Sequence, residues 1–136
     1  MNPAGLIVLK SRFGAAETAD RLVAAVMSHG MSVMTRVDHA AAAKSVGLDL
    51  GPTEVLMFGN PSAGTPLMQA QQSVGIDLPL KALVWRDEAG QTFVGYNDPQ
   101  WIAARHGLTA ESVVGRMTAV LAAIAREATG PEGDLP

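Results

Sequence analysis

The segment "LKALVWRDEAGQTFVGYND" limits the fold more than any other part of the chain. It holds two apolar, β-prone runs, "LKALVWRD" and "TFVGYND", joined by Glu88, Ala89, Gly90 and Gln91. A parallel connection needs a crossover of about a dozen residues or more. Four residues, with Gly90 free to take a positive φ, suit a hairpin instead. The two strands are therefore antiparallel, which argues against a purely parallel doubly wound sheet.

Three more strands and several helices follow from local patterning. "GLIVLKSRF" is a β-branched apolar run of strand length. Ala19, Leu22, Val23, Val26 and Met27 then recur at helical spacing, and "SHGM" ends that helix with Gly30 as the left-handed residue. "MSVMTRV" alternates like a strand with one wet face. Asp38 is placed to cap a short alanine-rich helix closed by Gly47, and "TEVLMF" is apolar enough for a central strand. Asp98 and Pro99 read as N-cap and N1 of another helix, ending at Gly107. A last helix from about Thr109 carries Val113, Met117, Val120, Leu121 and Ile124 on one stripe. The expected architecture is α+β: a two-layer sandwich, with a mainly antiparallel sheet of about five strands packed by two main helices and short extra ones. One domain covers residues 1–128, and the polar tail 129–136 is expected to be frayed.

Composition removes whole classes of function. The 136 residues are 48% hydrophobic and 17% charged, enough to bury a core within one domain. Net charge is −3 and no basic run is present, which argues against nucleic acid as the main partner. The absence of cysteine excludes disulfides, thiolate nucleophiles, cysteine-ligated zinc and iron–sulfur clusters. "MNPAGLIVLKSRF" lacks the features of a signal peptide, and no apolar stretch reaches the roughly 18 residues of a membrane span. The expectation is a soluble, cytoplasmic protein that does not enter membranes.

One stretch, "FGNPSAGTPLM", reads as more than a connection. Asn60 before Pro61 ends the preceding strand in extended geometry. Thr65 before Pro66 reads as N-cap followed by N1, opening a short helix around residues 67–72. A helix start with free N–H groups suits a small anion, and Gly64 lets a ligand approach the backbone. A well-capped turn with no ligand explains the same residues. The lysine of a phosphate-binding P-loop is missing, and so is the dinucleotide fingerprint.

"EVLMFGNPSAGTPLM", "GIDLPLKALVWRDEAGQ" and "VGYNDPQWIAARHGL", in this order, resemble the bacterial and archaeal family known as domain of unknown function 302. The upstream "TADRLVAAVMSHGMSVMTRVDHAAAAKSVGLDL" follows the same pattern, so the resemblance spans roughly residues 5–125. It implies a TATA-binding-protein-like α+β fold with a curved antiparallel sheet, often paired as a homodimer. Many members of that family carry cysteines where this chain has Gly59 and Leu80. A thiol, redox or soft-metal role suggested for that branch does not carry over to these two residues.

The polar candidates are few. His39 follows Asp38 and fits the family's Asp-His run; it suits a general base, a metal ligand or a hydrogen bond at a helix start. His29 and His106 stand at helix ends, where capping is the simpler role. No pair of histidines has metal-ligand spacing, so no metal and no cofactor are expected. Met27, Met57 and Met117 fall in apolar patterns and read as core. Asn97 and Asp98 end a strand much as Asn60 does, and would line a shared cleft with Asn60 and Thr65. Lys81 and Arg105 offer positive charge, and Trp85 and Trp101 can anchor a core or a dimer contact. Two functions remain open. One is a small-ligand or partner-binding module, a homodimer holding a small anion at Asn60, Gly64, Thr65, Asn97 and Asp98. The other is an enzyme on a small anionic substrate with His39 as acid/base. A structural dimer without a ligand is a third reading.

Overall fold

The computed structural model describes residues 2–109 and 111–130. Its strands are β1 (Leu6–Ser11), β2 (Ser32–Asp38), β3 (Thr53–Gly59), β4 (Leu80–Arg86) and β5 (Thr92–Asn97). Its α-helices are α1 (Ala15–Ser28), α2 (His39–Ser45), α3 (Pro61–Ala70), α4 (Pro99–Arg105) and α5 (Glu111–Thr129), with a 3₁₀ helix at Gln72–Asp77. The strands form one sheet in the order β1-β5-β4-β3-β2, and every neighbouring pair is antiparallel. This is the expected α+β architecture. The expected tail residues 131–136 lie outside the described residues, while α5 runs through Thr129, which is buried.

The hairpin between β4 and β5 forms as the sequence requires. Gly90 has φ +88°, and Asp87 organises the link by accepting from the Gln91 backbone N–H through Oδ1 at 2.9 Å. Strands β1 and β2 lie at opposite edges, so α1 must cross the sheet to join them. It does so with one stripe buried: Thr18, Ala19, Leu22, Ala25 and Val26. Helix α5 lies beside it and buries Leu121, Ile124, Ala125 and Ala128. Beneath them the sheet presents Leu56, Phe58, Ala82, Val84, Val94 and Tyr96, alternate residues of β3, β4 and β5. Period-two alternation puts these on one face and their neighbours on the other.

Met27, expected in this core, is 64% exposed. It stands one residue past Val26 in the last turn of α1, and a step of 100° carries it off the buried stripe. Helix α3 also differs from expectation. It opens at Pro61, capped by Asn60, whose Oδ1 accepts from the Ser62 backbone N–H at 2.9 Å. Thr65 and Pro66 lie inside the helix, so Thr65 is not an N-cap. Asn60–Pro61 and Thr65–Pro66 are both cap-plus-proline pairs; the first one along the chain starts the helix, and the second is carried within it.

A second, smaller cluster, Leu67, Val74, Ile102, Ala103 and Val114, ties α3, the 3₁₀ helix, α4 and α5 together beyond the ends of β3 and β5. Trp101 packs against that cluster and closes over Gly5, which has φ +78°. A Cβ at Gly5 would collide with the indole ring.

Two stability effects follow. Phe58 is fully buried in the core near the end of β3, and Phe58→Ala should cost about 3–5 kcal/mol, read as a lowered urea midpoint at constant slope. Gly5→Ala adds backbone strain to a ring clash and should cost at least about 2 kcal/mol by the same measurement. A loss within about 0.5 kcal/mol would mean that Trp101 does not hold this corner.

Candidate functional site

A cleft of about 610 Å³ opens beside the Asn60 turn. Its floor and walls come from the end of β3, the first turns of α3, the Leu78–Leu80 approach to β4, the start of β2 and one side of α5. Asn60, Gly64 and Thr65, three residues singled out from sequence, line it. Gly59 and Leu80, where the resembling family carries cysteines, line it as well. The register explains why those two come together: Phe58 pairs with Leu80, which brings the next residue, Gly59, to the same sheet end.

The chemistry of this cleft is not that of a naked helix start. Asn60 Oδ1 already takes the Ser62 N–H and the Ser62 hydroxyl, at 2.9 and 2.7 Å, and the Ala63 and Gly64 N–H groups donate to the Asn60 carbonyl. The free donors of the first turn are therefore engaged. What the lining offers instead is thioether and aliphatic surface. Met31, Met34, Met68 and Met117, four of the chain's seven methionines, border it together with Leu78, Pro79 and Val113. Methionine surfaces are polarizable and adaptable, and they recur at binding sites that accept varied apolar shapes. Arg116 and His29 supply the basic groups of the lining. His29 occupies the C-cap position of α1 as expected, while its side chain turns to Glu127, with Nε2 2.6 Å from Oε2.

The remaining sequence candidates lie elsewhere. Asn97 ends β5, Asp98 follows it, and neither is among the lining residues; Asp98 Oδ1 caps α4 by accepting from the Gln100 N–H at 2.9 Å. Strands β3 and β5 both pair with β4 and end on the same side, and the second apolar cluster is built from the helices that follow them in the chain. Asn60 borders the cleft described above, and Asn97 is not among its lining residues. His39 opens α2 and is exposed, also outside the lining. Among the described residues no group of three histidine, aspartate or glutamate side chains is arranged to hold a metal ion.

A polar cluster that sequence reading did not assemble sits on the 3₁₀ helix. Asp77 accepts two hydrogen bonds from the Arg105 guanidinium at 2.9 Å each and one from His106 Nε2 at 2.6 Å. The other ring nitrogen, Nδ1, lies 2.8 Å from the Ser73 hydroxyl. His106 thus occupies the C-cap position of α4 as expected, while its side chain turns to Asp77 rather than to the helix carbonyls. The partners are about thirty residues apart in sequence, with separations of 33 and 29, and no local motif joins them. The one local signal was the four-residue spacing of Ser73 and Asp77 within "SVGID".

Similarity to known proteins narrows the family. The chain is 44% identical over 128 residues to "Fluoride-specific ion channel FluC 1" of Brucella suis biovar 1 (strain 1330), covering 93% of this chain and 50% of that protein. It is likewise 44% identical over 128 residues to "Fluoride-specific ion channel FluC 2" of Brucella melitensis biotype 1 (strain ATCC 23456 / CCUG 17765 / NCTC 10094 / 16M), covering 93% of this chain and 47% of that protein. The chain spans about half the length of these relatives. No helix among the described residues is long and apolar enough to cross a membrane. The fold superposes on the crystal structure of an uncharacterized conserved DUF302 protein from Bacillus stearothermophilus. The TM-score is 0.83 at 22% identity, covering 93% of this chain and 99% of that one. The model of the family described as "Domain of unknown function DUF302" matches residues 7–124, and this chain belongs to that family.

Proposed function

We propose that the protein is a cytoplasmic, dimeric module that binds a small ligand in the cleft bordered by Asn60, Gly64 and Thr65. The observation that carries this reading is the cleft itself: about 610 Å³, mostly apolar, with an arginine in its lining. Ligand sites combine apolar walls with a few oriented polar groups, and this volume is in their range. The ligand class that fits is an amphipathic anion, a carboxylate with a short hydrocarbon body. Its head would pair with Arg116 rather than with backbone N–H groups, and its body would lie on Met31, Met68 and Met117. The enzyme reading with His39 as acid/base has less support, because His39 lies outside the lining.

The partner half of the reading rests on the opposite sheet face. Leu6, Val8, Val55, Leu83, Trp85 and Phe93 alternate with the core residues, belong to neither core cluster and are only half-buried. Trp85 stacks on Phe93 at 5.3 Å between ring centroids and lies across Gly95, where a Cβ would come within 2.9 Å of the indole. An antiparallel sheet with a wet face alternates to polar residues there. Such an apolar face suits a second copy of the chain. A stretch similar to this chain makes up about half of relatives named as fluoride-specific ion channels. That supports an accessory role beside a transport protein for small anions.

Octanoate should raise the melting temperature, reaching a stabilisation of about 2.7 kcal/mol at 100 times its dissociation constant. Arg116→Gln should weaken it about tenfold and Gly64→Leu should abolish it, since a side chain there projects beside Leu78 into the cleft. Phosphate and fluoride salts serve as anions without a hydrocarbon body. No stabilisation by octanoate, or one unchanged in both variants, would remove the cleft as the site. Sedimentation should show a dimer that Leu83→Lys converts to a folded monomer; a wild-type monomer at about 100 μM would remove the dimer.

A further inference from the structure

We propose that Ser73, His106 and Asp77 form a serine-nucleophile site that cleaves small carboxylic esters at the exposed surface of the 3₁₀ helix. The proposal concerns residues outside the apolar cleft and does not depend on what that cleft binds.

The hydrogen-bond chain fixes the roles. An ionised Asp77 only accepts, and it already takes both bonds from Arg105. The ring nitrogen 2.6 Å from it, Nε2, must therefore carry a proton. With the imidazole neutral, Nδ1 then has a free lone pair, and the Ser73 hydroxyl at 2.8 Å is the donor to it. Nucleophile, base and orienting carboxylate follow in one line, the arrangement that recurs on unrelated folds for acyl transfer. Here the two ring nitrogens exchange places relative to the serine-protease template, with the same proton path.

Burial separates the three in a useful way. The side chains of His106 and Asp77 are 7% and 11% exposed, whereas Ser73 is open to solvent. The base and its orienter are shielded, and the hydroxyl can reach a substrate. Position is held from several sides. The His106 backbone N–H donates to Ile102 and Ala103, Gly107 turns the chain at φ +66°, and Arg105 Nη1 donates to both Asp77 carboxylate oxygens. A serine needed only to tie down His106 would gain little from an exposed position, where a hydrogen bond competes with water.

In the first step Ser73 Oγ attacks the ester carbonyl carbon while its proton passes to His106 Nδ1. The tetrahedral adduct collapses, the carbon–alkoxy bond breaks, and the alcohol leaves with that proton. Water then attacks the acyl–Ser73 ester, giving its proton to Nδ1. Collapse returns the proton to Ser73 Oγ and releases the carboxylic acid. Asp77 positions the imidazole and balances the imidazolium without taking a proton.

A fluorophosphonate probe, which phosphonylates an activated serine with loss of fluoride, tests the nucleophile directly. Intact mass and peptide mapping should find one label on Ser73, absent in Ser73→Ala, and p-nitrophenyl acetate hydrolysis should fall at least 100-fold in that variant. Absence of label on Ser73, or hydrolysis unchanged in Ser73→Ala, overturns the proposal. His106→Gln should slow labelling at least 100-fold, but it removes a buried partner of Asp77 and can fail to fold. Ser73→Cys avoids that difficulty, because the natural chain has no cysteine and the new thiol is unique. Beside His106 it should alkylate with iodoacetamide at a rate that persists well below the ordinary thiol range of about 8.5. An ordinary thiol pH profile for Ser73→Cys overturns the proposal as well.

Discussion

Burial of a single face of the sheet beneath α1 and α5 is the interaction on which the rest of the structure depends. Leu22, Val26, Leu56, Phe58, Val94 and Ile124 meet there with essentially no exposure. Apolar area removed from water contributes about 25 cal/mol per Å², so this layer is the main favourable contribution available to a chain without disulfides. Once that face is fixed, period-two alternation assigns every other strand residue to the opposite side. The half-buried surface around Trp85 and Phe93 is thus a consequence of the core and not a separate feature.

The same layer positions the cleft. Because α5 lies over the sheet and α3 leaves from the end of β3, the space between them is walled by residues that those elements bury only in part or leave exposed. On α5 these are Val113, Arg116, Met117 and Val120; on α3 they include Gly64 and Met68. A glycine at position 64 keeps the wall thin, since a Cβ there would meet only Leu78 at 3.6 Å. Space, apolar walls and a cation are products of how three elements diverge.

The second cluster does different work. By joining α3, the 3₁₀ helix and α4, it brings Ser73 and Asp77 to the end of α4, where Arg105 and His106 stand. Asp77 is buried yet makes three hydrogen bonds, which is what a buried carboxylate requires. Removing any one partner would leave a costly group behind, so the polar network and the small apolar cluster stabilise each other.

Sequence alone determined the elements whose signals are local. The β4–β5 hairpin follows from a link too short for a crossover, and the caps at Asp38 and Asp98 follow from carboxylates that can reach their own helix N–H groups. The α+β class follows from the order of these elements. Helix α3 was misplaced by five residues, N-cap Asn60 rather than Thr65, because two cap-proline pairs compete within "NPSAGTP", and local chemistry does not rank them. Only tertiary structure decided that Asn60, Gly64 and Thr65 face a cleft while Asn97 and Asp98 do not. That choice depends on which elements pack beyond β3 and β5. Only tertiary structure decided, too, that His106 meets Ser73 and Asp77. Hydrogen bonds between residues about thirty positions apart leave no period or spacing in a chain, because the fold and not the local sequence sets their distance.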